Sequence, residues 1–232
     1  SEVTRKAWLR DPHNRLLARA SRFRLPAELI RDGALAAGGL LVERIGGPSV
    51  KPPQPAGLWK EIAGGASGAY EKGYEPDRGA SRYRRSIYTF WRRTIPPPSM
   101  TTFDAPGRET CTARRARTNT PLQALALMNE VTYVEAAKKF AERIMGQGKD
   151  PGERIAWGFR LATQRAPGKE ELAIMVKGYN RRLLRYRAEP KNAAALLVRG
   201  ESKVSGDYDP VELAAMTTVA SVILNLDEVI NK

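Results

Sequence analysis

At 232 residues, 42% hydrophobic and 28% charged, the chain is long enough for a buried core and too apolar for wholesale disorder. Its net charge of +14 and pI near 10.1 set up a field that attracts polyanions: nucleic acid, anionic lipid, acidic glycan or an acidic neighbouring domain. One cysteine, Cys111, excludes an internal disulfide and a multi-cysteine zinc site, and one histidine, His13, leaves no His-rich metal site.

The chain opens SEVTRKAWLRDP, without an initiator methionine or an apolar signal core, and is expected to be a fragment or a processed product. Residues 1–24 are polar and basic, with Asp11-Pro12 as a turn or helix start, His13 at the surface or in packing, and Leu16, Leu17 and Phe23 as apolar anchors. Pro26 sits where a first helical residue belongs. Ala27, Ile30, Ala34, Leu35, Leu41 and Ile45 then recur at helical spacing, with Glu28, Arg31 and Asp32 on the other side. Gly38-Gly39 weakens this helix and Gly46-Gly47-Pro48 ends it, so 1–45 reads as an N-terminal helical part.

Residues 46–119 read as a loop-rich basic region. SVKPPQPAGLW is extended and stiffened by proline, and GGASGAYEKGYEPDRG is flexible by composition. Its glycines match neither a dinucleotide fingerprint nor a P-loop. From Arg82 to Met128 there are nine arginines. Tyr83, Ile87, Phe90 and Trp91 fall at i, i+4, i+7 and i+8, as in a short amphipathic helix, yet SIYTFW suits a strand as well. Pro96-Pro97-Pro98 ends either, and Phe103–Arg108 forms a turn around Asp104.

From Thr120 the punctuation is helical. Thr120-Pro121-x-Gln123, Asp150-Pro151-x-Glu153 and Asp209-Pro210-x-Glu212 each offer an N-cap, a proline at N1 and a side chain at N3 that reaches back. The first heads a helix to about Met145 with Leu122, Leu125, Met128, Ala136, Phe140 and Ile144 inward. The second runs through Ile155 and Phe159, and the last carries Leu213, Met216, Val219, Ala220 and Ile223. Between them lie a helix from about Lys169 to Tyr186 and a short piece at Ala193–Val198. The expected fold is mainly α: one domain over 1–232, whose C-terminal helical bundle (120–232) is overlaid by a long Pro/Gly/Arg-rich loop region. No apolar run approaches the roughly 20 residues a membrane helix needs.

RRSIYTFWRRTIPPPSMTTFDAPGRE, RTNTPLQALALMNE, LPAELIRD, GGPSVKPPQPAGLW, GFRLATQRAP and ELAAMTTVASVILNLDE together carry a resemblance over nearly the whole chain. It resembles the C-terminal domain of uncharacterised function found in planctomycete-type, cytochrome-c-associated secreted proteins. That resemblance implies an exported, periplasmic setting among polysaccharide-degrading machinery, with haem held in a separate upstream domain. This chain has no Cys-x-x-Cys-His, so no cofactor is expected in it. The upstream domains are the implied partners, and no catalytic residues are transferred.

Two readings compete for the arginines. Arg114, Arg115 and Arg117 lie just before the helix start at Thr120-Pro121, where free N–H groups and arginine forks suit an anion, with Asn119 and Thr120 beside them; Arg92, Arg93 and Arg108 can join them, and Tyr88 and Trp91 can stack on a sugar or base. Alternatively the arginines pair with carboxylates such as Asp104 and Glu109 and pin a long loop. Catalysis by Asp104 and Glu109, as in a carbohydrate-active enzyme, requires that the two converge. Cys111 is expected to be a buried structural thiol. The expected function is a non-catalytic accessory domain that binds an anionic ligand such as an acidic or sulfated glycan, or docks its own upstream domains. A carbohydrate-active enzyme and a nucleic-acid binder are the alternatives, the latter without a recognisable docking motif.

Overall fold

The computed structural model describes residues 4–18, 22–58, 74–92 and 94–231. The expectations placed on Arg93 and on residues 64–73 of the glycine-rich segment lie outside them. The fold is mainly helical, with no strand among the described residues and only isolated bridges, two of them joining Val42 to Arg84 and Val50 to Thr89. The helices are α1 (Arg5–Arg10), α2 (Ala27–Gly38), α3 (Pro98–Thr101), α4 (Pro121–Asn129), α5 (Val131–Met145), α6 (Pro151–Thr163), α7 (Lys169–Ala188), α8 (Pro190–Leu197), α9 (Pro210–Leu224) and α10 (Asp227–Ile230).

The core is built on α5 and α9, which pack along each other; α2 crosses α5, and α7 and α8 lie on α9. Ala136, Phe140, Ile144, Leu213, Ala220 and Ile223 are all essentially inaccessible. Glycine sets the close crossings. A Cβ on Gly38 would lie 2.8 Å from the carbonyl oxygen of Ala136, so only glycine lets α2 approach α5 this closely. The Asp caps and N1 prolines of the Asp-Pro starts form as read, whereas Glu153 reaches back to Lys149 N (2.9 Å) rather than to Asp150 N. Asp150 Oδ1 accepts from Gly152 N (2.7 Å) and Glu153 N (3.1 Å), and Asp209 Oδ1 from Val211 N (2.9 Å) and Glu212 N (2.8 Å).

Several elements differ from expectation, each for a local reason. The helix from Pro26 does not reach Ile45: it stops at Gly38, with Gly39 left-handed (φ 70°), and Ile45 is exposed. Arg31 and Asp32, expected on a solvent side, are buried. Arg31 Nη1 donates to Arg84 O (3.0 Å) and Ser86 Oγ (3.1 Å), and its Nη2 to Arg82 O (2.6 Å). Asp32 Oδ1 accepts from Ser86 N (2.8 Å) and Ser86 Oγ (2.6 Å). These bonds satisfy backbone groups that a helix or sheet would otherwise use, and the segment accordingly forms two 3-10 turns, Gly79–Tyr83 and Ser86–Tyr88, of which the second opens SIYTFW, rather than a helix or strand.

The helix expected from Thr120 to Met145 is two. Glu130 ends α4 in an extended conformation and caps α5, its carboxylate accepting from Thr132 N (3.0 Å), Thr132 Oγ1 (3.0 Å) and Tyr133 N (3.4 Å). In α4 the buried face is Gln123 and Leu127; Leu122, Leu125 and Met128 are exposed. Gln123 sets this rotation by donating to Thr102 O (3.0 Å) and Thr118 Oγ1 (3.2 Å). Leu16, Leu17 and Phe23 are exposed, not anchors, and His13 is exposed. The unforeseen α1 starts on a Thr4 cap, with Thr4 Oγ1 accepting from Ala7 N at 3.2 Å.

Candidate functional site: a basic loop around Asp104

After α3 the chain turns at Asp104, which adopts a left-handed conformation (φ 58°), and runs as an exposed loop to Thr120. Phe103, just before the turn, is buried against Tyr133 with ring centroids 6.2 Å apart, and this anchors the base of the loop. Arg24, 4% exposed, enters from the segment before α2. It donates to Thr118 O (2.8 Å) and Phe103 O (3.1 Å), and forms an ion pair with Asp104. Asp104 also accepts from Thr118 N (2.7 Å) and from Thr118 Oγ1.

Asp104 is thus the carboxylate partner of Arg24 and Thr118, not of Arg114, Arg115 or Arg117. Burial pushes its carboxyl pKa up, but the two bonds from Thr118 and the Arg24 guanidinium outweigh that and hold it below the usual carboxylate range. An ionised, fully engaged carboxylate is poorly suited to donate a proton. Glu109 lies on the exposed part of the same loop.

Arg114, Arg115 and Arg117 come together: they line a cavity of about 250 Å³ with Arg24, Phe103 and Asp104. Their commitments differ. Arg115 pairs with Glu28 at the start of α2 (2.8 Å), and Arg117 lies 4.5 Å over the Phe23 ring. Arg114 has no acidic partner among the described residues. The remaining candidates sit elsewhere. Arg108 stacks 4.5 Å over Trp91, whose indole donates to Gly107 O at 3.4 Å. Tyr88 is covered by Arg84 at 3.9 Å, and its hydroxyl accepts from Gly46 N. Arg92 is half-buried beside Ile95, while Asn119 and Thr120 are exposed and do not line the cavity. Cys111 is exposed, not buried: it lies at the outer part of the loop, away from the core. Among the described residues no group of His, Cys, Asp or Glu could hold a metal ion.

Residues 1–179 match the family model PSD1, described as a protein of unknown function (DUF1553). The chain belongs to this family. The match takes in the PSD1 loop, its cavity and the helices through the first half of α7, whereas α8, α9 and α10 lie beyond it. No curated protein and no solved structure matches the chain.

Sequence reading missed two groups in this PSD1 chain. Arg24 and Thr118, the two partners of Asp104, carry no motif and meet it only through the fold. On α5, Glu135, Lys138 and Glu142 share one face at i, i+3 and i+7, a spacing that reads as a solvent face, yet all three are buried. Lys138 Nζ donates to Leu197 O (3.1 Å), Arg199 O (2.9 Å) and Ser202 O (2.6 Å). Glu135 Oε1 accepts from Tyr83 Oη (2.9 Å), Glu201 N (2.6 Å) and Ser202 N (2.5 Å). Together they bind the loop after α8 down onto α5.

Proposed function

We propose that this chain is a non-catalytic accessory domain of an exported, multidomain protein, and that it binds an acidic or sulfated glycan at the Arg114–Arg117 loop. The observation that carries this reading is the unequal commitment of charge around the cavity. Asp104 is already satisfied by Arg24 and Thr118, so Arg114 and Arg117 add positive charge to the cavity that no carboxylate of the described residues offsets. Guanidinium forks on an exposed loop suit sulfate or carboxylate oxygens on a flexible polymer. The setting beside a cytochrome-c module and polysaccharide-degrading machinery is the resemblance's contribution, and upstream domains of the same polypeptide are the second expected partner. Asp104 serves here as the loop's internal counter-ion rather than as an acid or base.

The test is a titration of the chain with heparin, a neutral glucan and a short DNA duplex at two salt concentrations. Arg114→Ala/Arg117→Ala is compared with Arg115→Ala, which removes a surface ion pair instead. Saturable heparin binding that is lost in the double variant supports the proposal. Equal, salt-sensitive binding to heparin and DNA that the double variant leaves unchanged sinks it, because the net charge would then act as a diffuse field.

A further inference from the structure

A second cleft, of about 570 Å³, lies where the end of α2, the end of α5, α6 and the loop before α9 meet. Its walls include the half-buried rings of Trp157 and Tyr208, the exposed amide of Gln147, and Lys139, Glu142 and Arg143. The two cations are already engaged. Lys139 Nζ is bonded to Glu142 Oε2, Lys203 O and Ser205 Oγ, which uses all three ammonium hydrogens. Arg143 closes the C-terminus of α2 by donating to Ala36 O and Ala37 O.

Glu142 is different. Only 6% exposed, it uses Oε2 for Lys139 and Ser205 N, while Oε1 is buried without a hydrogen-bond partner. A buried acceptor left unpaired is costly, and it favours any ligand or water that brings a donor. A cationic donor is disfavoured by Lys139 and Arg143, and an anion by Glu142 itself. A neutral hydroxyl remains. Trp157, with Arg143 5.8 Å over its ring, and Tyr208, whose hydroxyl donates to Glu142 O (3.3 Å), add half-buried aromatic surface, which suits a ring having C–H faces and hydroxyl edges. Among the described residues, the Trp157 indole N–H and the Gln147 amide are further polar groups with no partner.

From these features we infer that the Trp157–Tyr208 cleft binds a neutral pyranose ring of an oligosaccharide, independently of the basic loop. A ligand hydroxyl reaches Glu142 Oε1 through a bridging water or a turn of the carboxylate.

The experiment follows the indole N–H resonances of the ¹⁵N-labelled chain, with Trp157 assigned by its loss in Trp157→Phe. Cellohexaose, xylohexaose and mannohexaose are added separately. At least one is expected to move the Trp157 resonance saturably while Trp8 and Trp91 stay in place, and raising salt to about 0.3 M should leave that affinity unchanged. Gln147→Ala, at an exposed side chain, should keep the fold and weaken binding about fivefold, as loss of one hydrogen bond entails. Arg114→Ala/Arg117→Ala should leave this titration untouched, which separates failure here from failure of the basic-loop proposal. The inference is overturned if none of the three sugars moves Trp157, if Gln147→Ala binds as tightly as the parent, or if only heparin moves Trp157 and salt abolishes the shift.

Discussion

Arg84 and Arg114 belong to one basic stretch, yet the fold uses them in opposite ways. Arg84 is 5% exposed, donates to Pro48 O, Arg44 O and Gly46 O, and stacks on Tyr88. Arg31 does the same for the carbonyls of Arg82 and Arg84. These guanidiniums replace the hydrogen-bond ladder that an irregular segment lacks, so their charge is spent inside the molecule. Arg114 and Arg117 sit on an exposed loop and spend none of theirs on a carboxylate of the described residues. Arginine count therefore reports little about binding here. What separates a staple from an uncommitted guanidinium is whether backbone carbonyls lie within reach of the fork.

That contrast can be broken from the buried side first. Burial raises the phenol pKa of Tyr83, helped by its bond to Glu135, and burial beside Glu130 raises that of Tyr133. A folded-state pKa above the unfolded one gives stability that is present below about pH 10 and lost as pH rises further. Circular dichroism should therefore show the chain unfolding above about pH 10, although its arginines remain charged. Arg31→Ala strands three acceptors and removes a cation beside the Asp32 carboxylate, and should cost about 4 kcal/mol in urea unfolding. Lys138→Met leaves three carbonyls and Glu135 without their cation. It should cost about 3 kcal/mol, with faster hydrogen exchange across 198–205 as its local signature.

The exposed side should respond less. Asp104→Asn keeps the shape but loses the charge that Arg24 and Thr118 engage, and should cost about 1–2 kcal/mol. Because the Asp104 pKa is depressed, its contribution is present above about pH 4 and is lost as pH falls below that; the parent and Asp104→Asn should converge in stability in acid. Arg114→Ala/Arg117→Ala should change stability by no more than about 0.5 kcal/mol, while abolishing heparin binding. If that double variant proved as costly as Arg31→Ala, the two classes of arginine would be one.

The bundle was legible because its signals are local. Each Asp-Pro or Thr-Pro start places a cap oxygen and a fixed φ within three residues, and Phe140, Ile144, Met216 and Ile223 repeat at the helical period. The site was legible only in part. Arg114, Arg115 and Arg117 were seen as a cluster, but Arg24 and Thr118 were not, since nothing near either residue says that it will meet Asp104. The failed boundaries have separate causes. Gly39 ends α2 in a left-handed conformation, and Glu130 splits the long helix by turning its side chain back onto Thr132 and Tyr133.

By itself, then, the sequence determined a helical chain, the starts of three of its helices, a strong positive charge and the absence of an internal disulfide, because propensity, capping and charge act over a few residues or over the whole composition. The tertiary structure alone decided which charges are buried. Arg31, Lys138 and Glu135 carry the same formal charges as residues on the surface, and only the carbonyls and amides brought to them from far along the chain offset their desolvation.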